Sequence, residues 1–431
     1  MSGSAGSPVS RDVTGVPATD APRRLGAPSR NAPARDPSLW HDADMTATDV
    51  ARRWAWAEID LDAIEHNIAT MRRVVAPAGV WAIVKADGYG HGAVRVARAA
   101  LRAGALGLGV ALVQEGVELR RAGITAPILV LSEQPPEQAV ELLEHDLTPT
   151  VYSMAAIDAL VAAGADGVGV HLKIDSGMQR VGASPDAAAR LVEAIGARTP
   201  AVTLAGVFTH LAVADEPANS GSRDQLVVFE RALESIRAAG FTPPVVHAAN
   251  SAGGLAVPEA RRSFVRVGIA AYGISPGPGV DHLARDLRPA MALKARVSHV
   301  KRVEAGTRVS YGWRHEFPVP TTVATLPLGY ADGVARRMGT LPDQPGADIL
   351  VGGRRCPIVG VVTMDQFVVD VGDHQVDVGD EAVLIGPQGD QRITAEEWAD
   401  RLGSIGYEVV CAISQRVPRV EVRGGDHGAD E

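Results

Sequence analysis

From Trp54 onward, short apolar runs alternate with amphipathic stretches. The strand-like runs are Trp81–Lys85, Leu106–Ala111, Pro127–Leu131, Thr148–Tyr152, Val168–Ile174, Thr203–Phe208, Pro244–Ala248 and Val265–Ala270. Between them, Val94–Ala103, Glu115–Ala122, Pro136–His145, Ala155–Ala163, Pro185–Ile195 and Asp224–Ala239 place apolar residues at i, i+3 and i+4, the helical spacing. Asp62 to Val75 reads as an opening helix. Pro136 and Pro185 fall in first turns, where a missing N–H is tolerated. Strands that are apolar throughout and alternate with helices imply a parallel sheet covered on both faces. Eight such units in roughly 210 residues fit a (β/α)8 TIM barrel. An open doubly wound sheet would instead call for G-x-G-x-x-G directly after the first strand. Gly104, Gly107 and Gly109 lack that spacing and straddle a strand.

The texture changes after Leu287. Val297–Val303, Thr322–Pro327, Asp348–Val351, Pro357–Val362, Gln366–Val371 and Glu381–Ile385 are short, β-branched and punctuated by Gly, Pro and Asp. This predicts a mostly-β C-terminal domain over 288–425, with Ala395–Leu402 as its one clear helix, after a barrel over 53–287. Residues 1–52 are rich in Ala, Pro, Ser, Gly and Arg without periodicity, and read as a disordered extension. Five aspartates between Asp12 and Asp44 argue against a transit peptide, and Met45 offers an alternative start.

Composition narrows the function. The net charge of -9, with no basic stripe, excludes nucleic acid as the expected partner. No run of 18 apolar residues is present, so no membrane span is expected. Met1 to Leu39 lacks the apolar core of a signal peptide, so a cytoplasmic location is expected. Cys356 and Cys411 form no C-x-x-C pair, which leaves no disulfide framework or zinc site. Of 42 basic residues only Lys85, Lys173, Lys294 and Lys301 are lysines. In so arginine-biased a chain, a lysine that is kept hints at a need for an amine, which guanidinium cannot be.

Barrel enzymes carry their chemistry at the C-terminal ends of the strands. The first strand ends in Val84-Lys85-Ala86-Asp87-Gly88-Tyr89-Gly90-His91-Gly92. Partial desolvation there would lower the amine's pKa and suit it to a Schiff base with a carbonyl cofactor; a lysine snorkelling to water is the plainer alternative. In the fifth strand, alternation puts His171, Lys173 and Asp175 on one face, followed by Arg180; a Lys–Asp pair filling the barrel is equally open. The sixth ends at His210, structural or functional. The seventh gives His247-Ala248-Ala249-Asn250-Ser251, where Ser251 suits either a helix N-cap or an anion contact. In the eighth, Gly268 offers a bare N–H to a phosphate, and Arg266 within an apolar run demands a partner, either a histidine such as His247 or an acceptor on a ligand. An amine, a phosphate pocket, an arginine and several histidines together suit pyridoxal phosphate.

VKADGYGHG resembles the alanine racemase signature around its cofactor lysine. LKIDSGMQRVG, FTHLAVADE, HAANSA, VRVGIAAYG, VSYG, LPLGYADG, TMDQF and GYEVVCAISQRVPR follow in family order, nine blocks spanning nearly all of Trp54 to Val420. The resemblance implies that Lys85 is the Schiff-base lysine and one of two bases. It implies that Tyr311 is the opposite base, reaching the site from a partner subunit. Arg180 would bind that tyrosine and the substrate carboxylate, and Lys173 matches a lysine carbamylated in many members. Arg266 would face the pyridine nitrogen with His247 behind it and His210 near the ring. Tyr89, Ser251, Gly268, Ile269 and Tyr407 would hold phosphate, with Asn250 beside them. Met364 would offer its backbone to the substrate, and Tyr330, Arg336, Asp365 and Asp215 match positions lining the approach channel. The implied activity is alanine racemisation for peptidoglycan by a cytoplasmic homodimer.

Asp87-Gly88, Gln179 and Thr363 depart from the family's Asn-Ala, glycine and cysteine or serine. None is a proposed reacting group. The competing readings are a broad-specificity racemase of the same fold, a pyridoxal-phosphate carrier without enzymatic activity, and a barrel decarboxylase. A bare-barrel carrier would lack the second domain that holds Tyr311 and Met364.

Overall fold

The computed structural model describes residues 53–423. The stretch 1–52, and the end of the β domain beyond Arg423, lie outside the described residues. All eight predicted barrel strands form, as Gly79–Ile83, Gly107–Val110, Ile128–Val130, Thr150–Val151, Val168–Lys173, Val202–Phe208, Val245–His247 and Phe264–Val267. Every pairing among them is parallel, and the eighth strand pairs with the first. A parallel bridge from Leu129 to Thr148 closes one seam, and Arg266 N–H to the Ala249 carbonyl at 3.1 Å closes the other.

The barrel interior is filled by alternating size. A Cβ on Gly107 would stand 2.7 Å from the Trp81 ring, so the small residue makes room for the large one. Trp81 stacks on Phe264 (4.6 Å, 9°), Phe264 on His247 (4.4 Å) and His247 on Phe208 (4.6 Å, 7°). In this four-ring stack Phe264, His247 and Phe208 are buried, and His247 is wedged between two aromatic rings.

The β domain forms a ten-stranded, largely antiparallel sheet. Its first member is a surprise. Ala55–Asp60, inside the range assigned to the barrel but not predicted as a strand, joins this sheet, between Met291–Arg296 (antiparallel) and Arg419–Val422 (parallel). Both partners lie over 230 residues away, so local pattern could not reveal the pairing. Lys294 secures the junction, its Nζ lying 3.0 Å from Glu58 and 3.4 Å from Glu381. The domain also has a second helix, Gly406–Ala412, beyond the expected Ala395–Leu402. It is seven residues long and lacks a side-chain cap, so its sequence signal is weak. Among the described residues no helix is long and apolar enough to cross a membrane.

Candidate functional site

Lys85 lies two residues beyond the first barrel strand and is half-buried at the mouth. Burial, and then the Arg180 charge, pull its amine below the ordinary lysine pKa; Glu115 and Cys411 act the other way. The next four residues, Ala86 to Tyr89, run at φ 51 to 58°, a left-handed helical turn. Three of them carry a Cβ, and each such residue costs roughly 1–2 kcal/mol in that conformation. Gly88, where the family usually has alanine, relieves the fourth. Asp87, where the family usually has asparagine, accepts the Ala93 N–H on its Oδ1 (2.8 Å) at the start of the next helix.

The turn delivers Tyr89 inward. Its ring packs against Tyr272 (4.8 Å) and Tyr407 (6.2 Å), and burial raises its hydroxyl pKa above the ordinary value. A Cβ on Gly268 would come 2.7 Å from Tyr89 Oη, so glycine lets the tyrosine hydroxyl close up to this backbone and the two form a small polar cradle. The Gly268 N–H donates to Ser251 Oγ at 2.9 Å, and Ile269 begins a short 3-10 turn. Asn250, not Ser251, is the N-cap of Ser251–Ala256, its side chain accepting the Gly253 N–H at 2.9 Å. Ser251 is thereby released to face Gly268. Tyr407 is also held high by burial and then by the charge of Asp215.

Behind this cradle lies a buried polar chain. Arg266 Nη2 donates to the carbonyls of Thr209 and Ala248, both at 2.8 Å, and reaches His210 Nδ1 at 3.2 Å. Nη1 donates to His247 Nδ1 at 2.8 Å. Arginine can only donate, so His247 carries its proton on Nε2. That proton goes to His171 Nδ1 at 2.9 Å. Burial and the Arg266 charge drive all three histidines toward neutrality, with His171 at about 4. Lys173 Nζ donates to the Leu131 carbonyl at 3.2 Å, and burial with Arg266 lowers it to about 8. The alternative of a Lys173–Asp175 salt bridge is not realised; Asp175 Oδ1 instead accepts the N–H groups of Gly177 and Gln179. Arg180, exposed, shares a small cleft with Lys173 and His210.

The mouth therefore gathers Lys85, Lys173, Arg180 and Arg266, and among the described residues none of these cations has a salt-bridge partner. Such a site suits an anion. A phosphate-bearing carbonyl cofactor fits the donor set: an amine at Lys85, the cradle at Gly268, and fixed positive charge at Arg266.

The β-domain candidates stand apart. Tyr311 is 74% exposed and Met364 52%, with Tyr330 and Arg336 also exposed. Asp365 pairs with Arg416 at 2.7 Å. Two residues outside the sequence-derived set support the site. Glu115 binds backbone N–H groups around Lys85. Asp332, wholly buried, joins Arg53 (2.5 Å) and Arg416 (3.2 Å) beneath the turn that carries Tyr330. Asp332 lies within LPLGYADG, one of the blocks that carry the family resemblance; Glu115 lies in none.

A closed barrel with an amine at its cation-rich mouth, followed by a β domain, is the architecture of the barrel class of pyridoxal-phosphate enzymes. Residues 59–276 match the family model for the alanine racemase N-terminal domain, and residues 290–421 that for the C-terminal domain. The chain belongs to the alanine racemase family, which depends on pyridoxal phosphate. It is 49% identical over 371 residues to the alanine racemase of Symbiobacterium thermophilum, covering 85% of this chain and 97% of that one. It is 46% identical to the Thermobifida fusca enzyme, covering 85% and 98%. Among solved structures, the alanine racemase of Streptomyces lavendulae superposes with TM-score 0.80 at 40% identity, over 86% of this chain and 98% of that one. The Bacillus anthracis alanine racemase with bound L-Ala-P does so with TM-score 0.81 at 38% identity, over 87% and 96%.

Proposed function

We propose that this protein interconverts L-alanine and D-alanine as a cytoplasmic homodimer, supplying D-alanine for peptidoglycan. The observation that carries the reading is the half-buried Lys85 amine at a mouth of cations that lack ion-pair partners among the described residues, one of them the buried Arg266. Pyridoxal phosphate, when bound, supplies an electron sink that acidifies the substrate Cα–H. Lys85 would hold the cofactor carbonyl carbon and exchange a proton on one face of the substrate. Tyr89, Ser251, Gly268, Ile269 and Tyr407 would hold the phosphate, with Asn250 fixing the Ser251 turn. Arg266, a permanent cation, would keep the adjoining ring nitrogen unprotonated, with His247 and His171 fixing its orientation and His210 lying beside the ring. Arg180 would bind the substrate carboxylate. Lys173, its amine lowered to about 8, has a neutral fraction available for carbamylation, which would give Arg180 a nearby anion.

Inversion needs a second proton carrier on the opposite face. Tyr311 suits that role, and its exposure in the isolated chain supports delivery to the site of a second copy. The exposed Met364 backbone would assist there, with Tyr330, Arg336, Asp365 and Asp215 lining the approach. The direct test is D-alanine formation from L-alanine by the protein with pyridoxal phosphate. Turnover lost in Lys85→Ala and sharply reduced in Tyr311→Phe is the expected result. A wild-type protein that holds the cofactor yet turns over no amino acid would overturn the reading.

A further inference from the structure

We infer that Glu115 is a positioning residue for Lys85. Its carboxylate bridges the ends of the first and second barrel strands. Oε1 accepts the Ala86 N–H at 2.7 Å. Oε2 accepts the N–H groups of Ala111 (2.7 Å) and Leu112 (3.1 Å). The Ala86 N–H belongs to the peptide that follows Lys85 itself, so this bond fixes the plane from which the lysine side chain departs. Ala86 is also the first residue of the left-handed turn. A run of that kind persists only where its surroundings overdetermine it. Asp87 and Arg419 restrain the turn farther on, the latter donating from Nε to the Gly90 carbonyl at 2.9 Å. Glu115 acts at the residue joined to Lys85. It also brings negative charge to the lysine's end of a mouth otherwise gathered from cations, and that charge favours the protonated amine.

A purely structural use of the same device is found two strands on. Glu133 accepts the Tyr152 N–H and the Ser153 hydroxyl, both at 2.7 Å, tying a strand end that carries no proposed site residue. Glu133→Gln is therefore the control for Glu115→Gln.

The inference rests on the assignment of Lys85 above, and the experiment separates the two. Holoenzyme is challenged with excess deuterated pyridoxal phosphate, quenched with borohydride at intervals, and the Lys85 peptide is read by mass spectrometry. Cofactor on the wild-type Lys85 peptide tests that assignment alone. For Glu115→Gln we expect cofactor exchange at Lys85 to be several-fold faster. We also expect kcat for alanine to fall about tenfold, with KM changed less than about threefold, the signature of a misaimed reactive group. Glu133→Gln should leave all three near wild type. Exchange and kcat within twofold of wild type in a folded Glu115→Gln protein would overturn the inference. So would equal losses in both variants, which would reduce Glu115 to a general strand-end tie.

Discussion

Arg266 Nη1 donates to His247 Nδ1 across 2.8 Å, and that single bond sets the proton positions of two buried imidazoles. The guanidinium fork satisfies two carbonyls and two histidines at once, which an ammonium on a flexible stem cannot do. Arg266→Lys should therefore lower unfolding free energy by roughly 2–3 kcal/mol and slow alanine racemisation at least about tenfold. Urea denaturation and the D-alanine assay read the two effects. A lysine variant equal to wild type in both would show that charge alone matters at this position.

Acid should unfold this protein early. His91 and His171 titrate at about 4 in the fold, both held down chiefly by burial, against 6.5 when free. A depressed folded pKa means that the unfolded chain binds the proton first, so stability is lost as pH falls from 6.5 toward 4. Each such histidine costs on the order of 2 kcal/mol at pH 5. The melting temperature should drop steeply between pH 7 and pH 5. His91→Phe should start lower at pH 7, losing the bond to the Tyr89 carbonyl, yet show a shallower drop. An equal slope in the two proteins would rule His91 out as a source.

How far sequence could see depended on whether a residue's partners were local. Each barrel strand announced itself as an apolar run between amphipathic helices, and Arg266 inside such a run demanded a buried acceptor. Two of the four lysines lie at the mouth, while Lys294 is an ion-pair staple, so retention of a lysine does not by itself mark a need for a free amine. The strand Ala55–Asp60 was missed because both its partners come from the far end of the chain. Glu115 was missed because a carboxylate in a first helical turn looks solvated; its three partners are backbone N–H groups at two separate strand ends.

Asp332 is a buried anion shared by Arg53 and Arg416, and its Oδ2 also accepts the Gly329 N–H at 2.9 Å. Asp332→Asn should cost roughly 3 kcal/mol. The turn it secures meets the segment 363–364 through Tyr330 N–H to the Thr363 carbonyl (3.0 Å) and Ala331 N–H to the Met364 carbonyl (3.1 Å). The alanine KM should rise more than kcat falls. An unchanged KM in the folded variant would detach Met364 from substrate binding.

Gln179 sits at φ 56°, where the family usually has glycine. Its N–H still reaches Asp175 Oδ1 at 3.1 Å, so the conformation is imposed and the Cβ strained. Gln179→Gly should raise stability by about 1 kcal/mol and leave Arg180, the next residue, in place. A loss of stability by denaturant titration would mean that the glutamine side chain contributes more than its strain costs.

An active site shared between two copies of the chain, as proposed, is open to a direct test. If Lys85 of one subunit works with Tyr311 of the other, Lys85→Ala and Tyr311→Phe homodimers each have two damaged sites. A mixed dimer concentrates both changes in one site and leaves the other intact. Random re-pairing of equal amounts makes half the dimers mixed, so activity should return to about one quarter of wild type, as two-fold symmetry requires. The measurement is D-alanine formation after dissociating and re-pairing the two impaired proteins, against each alone. No recovery, with mixed dimers verified by native mass spectrometry, would mean that both residues serve the same subunit's site and that the exposure of Tyr311 has another cause.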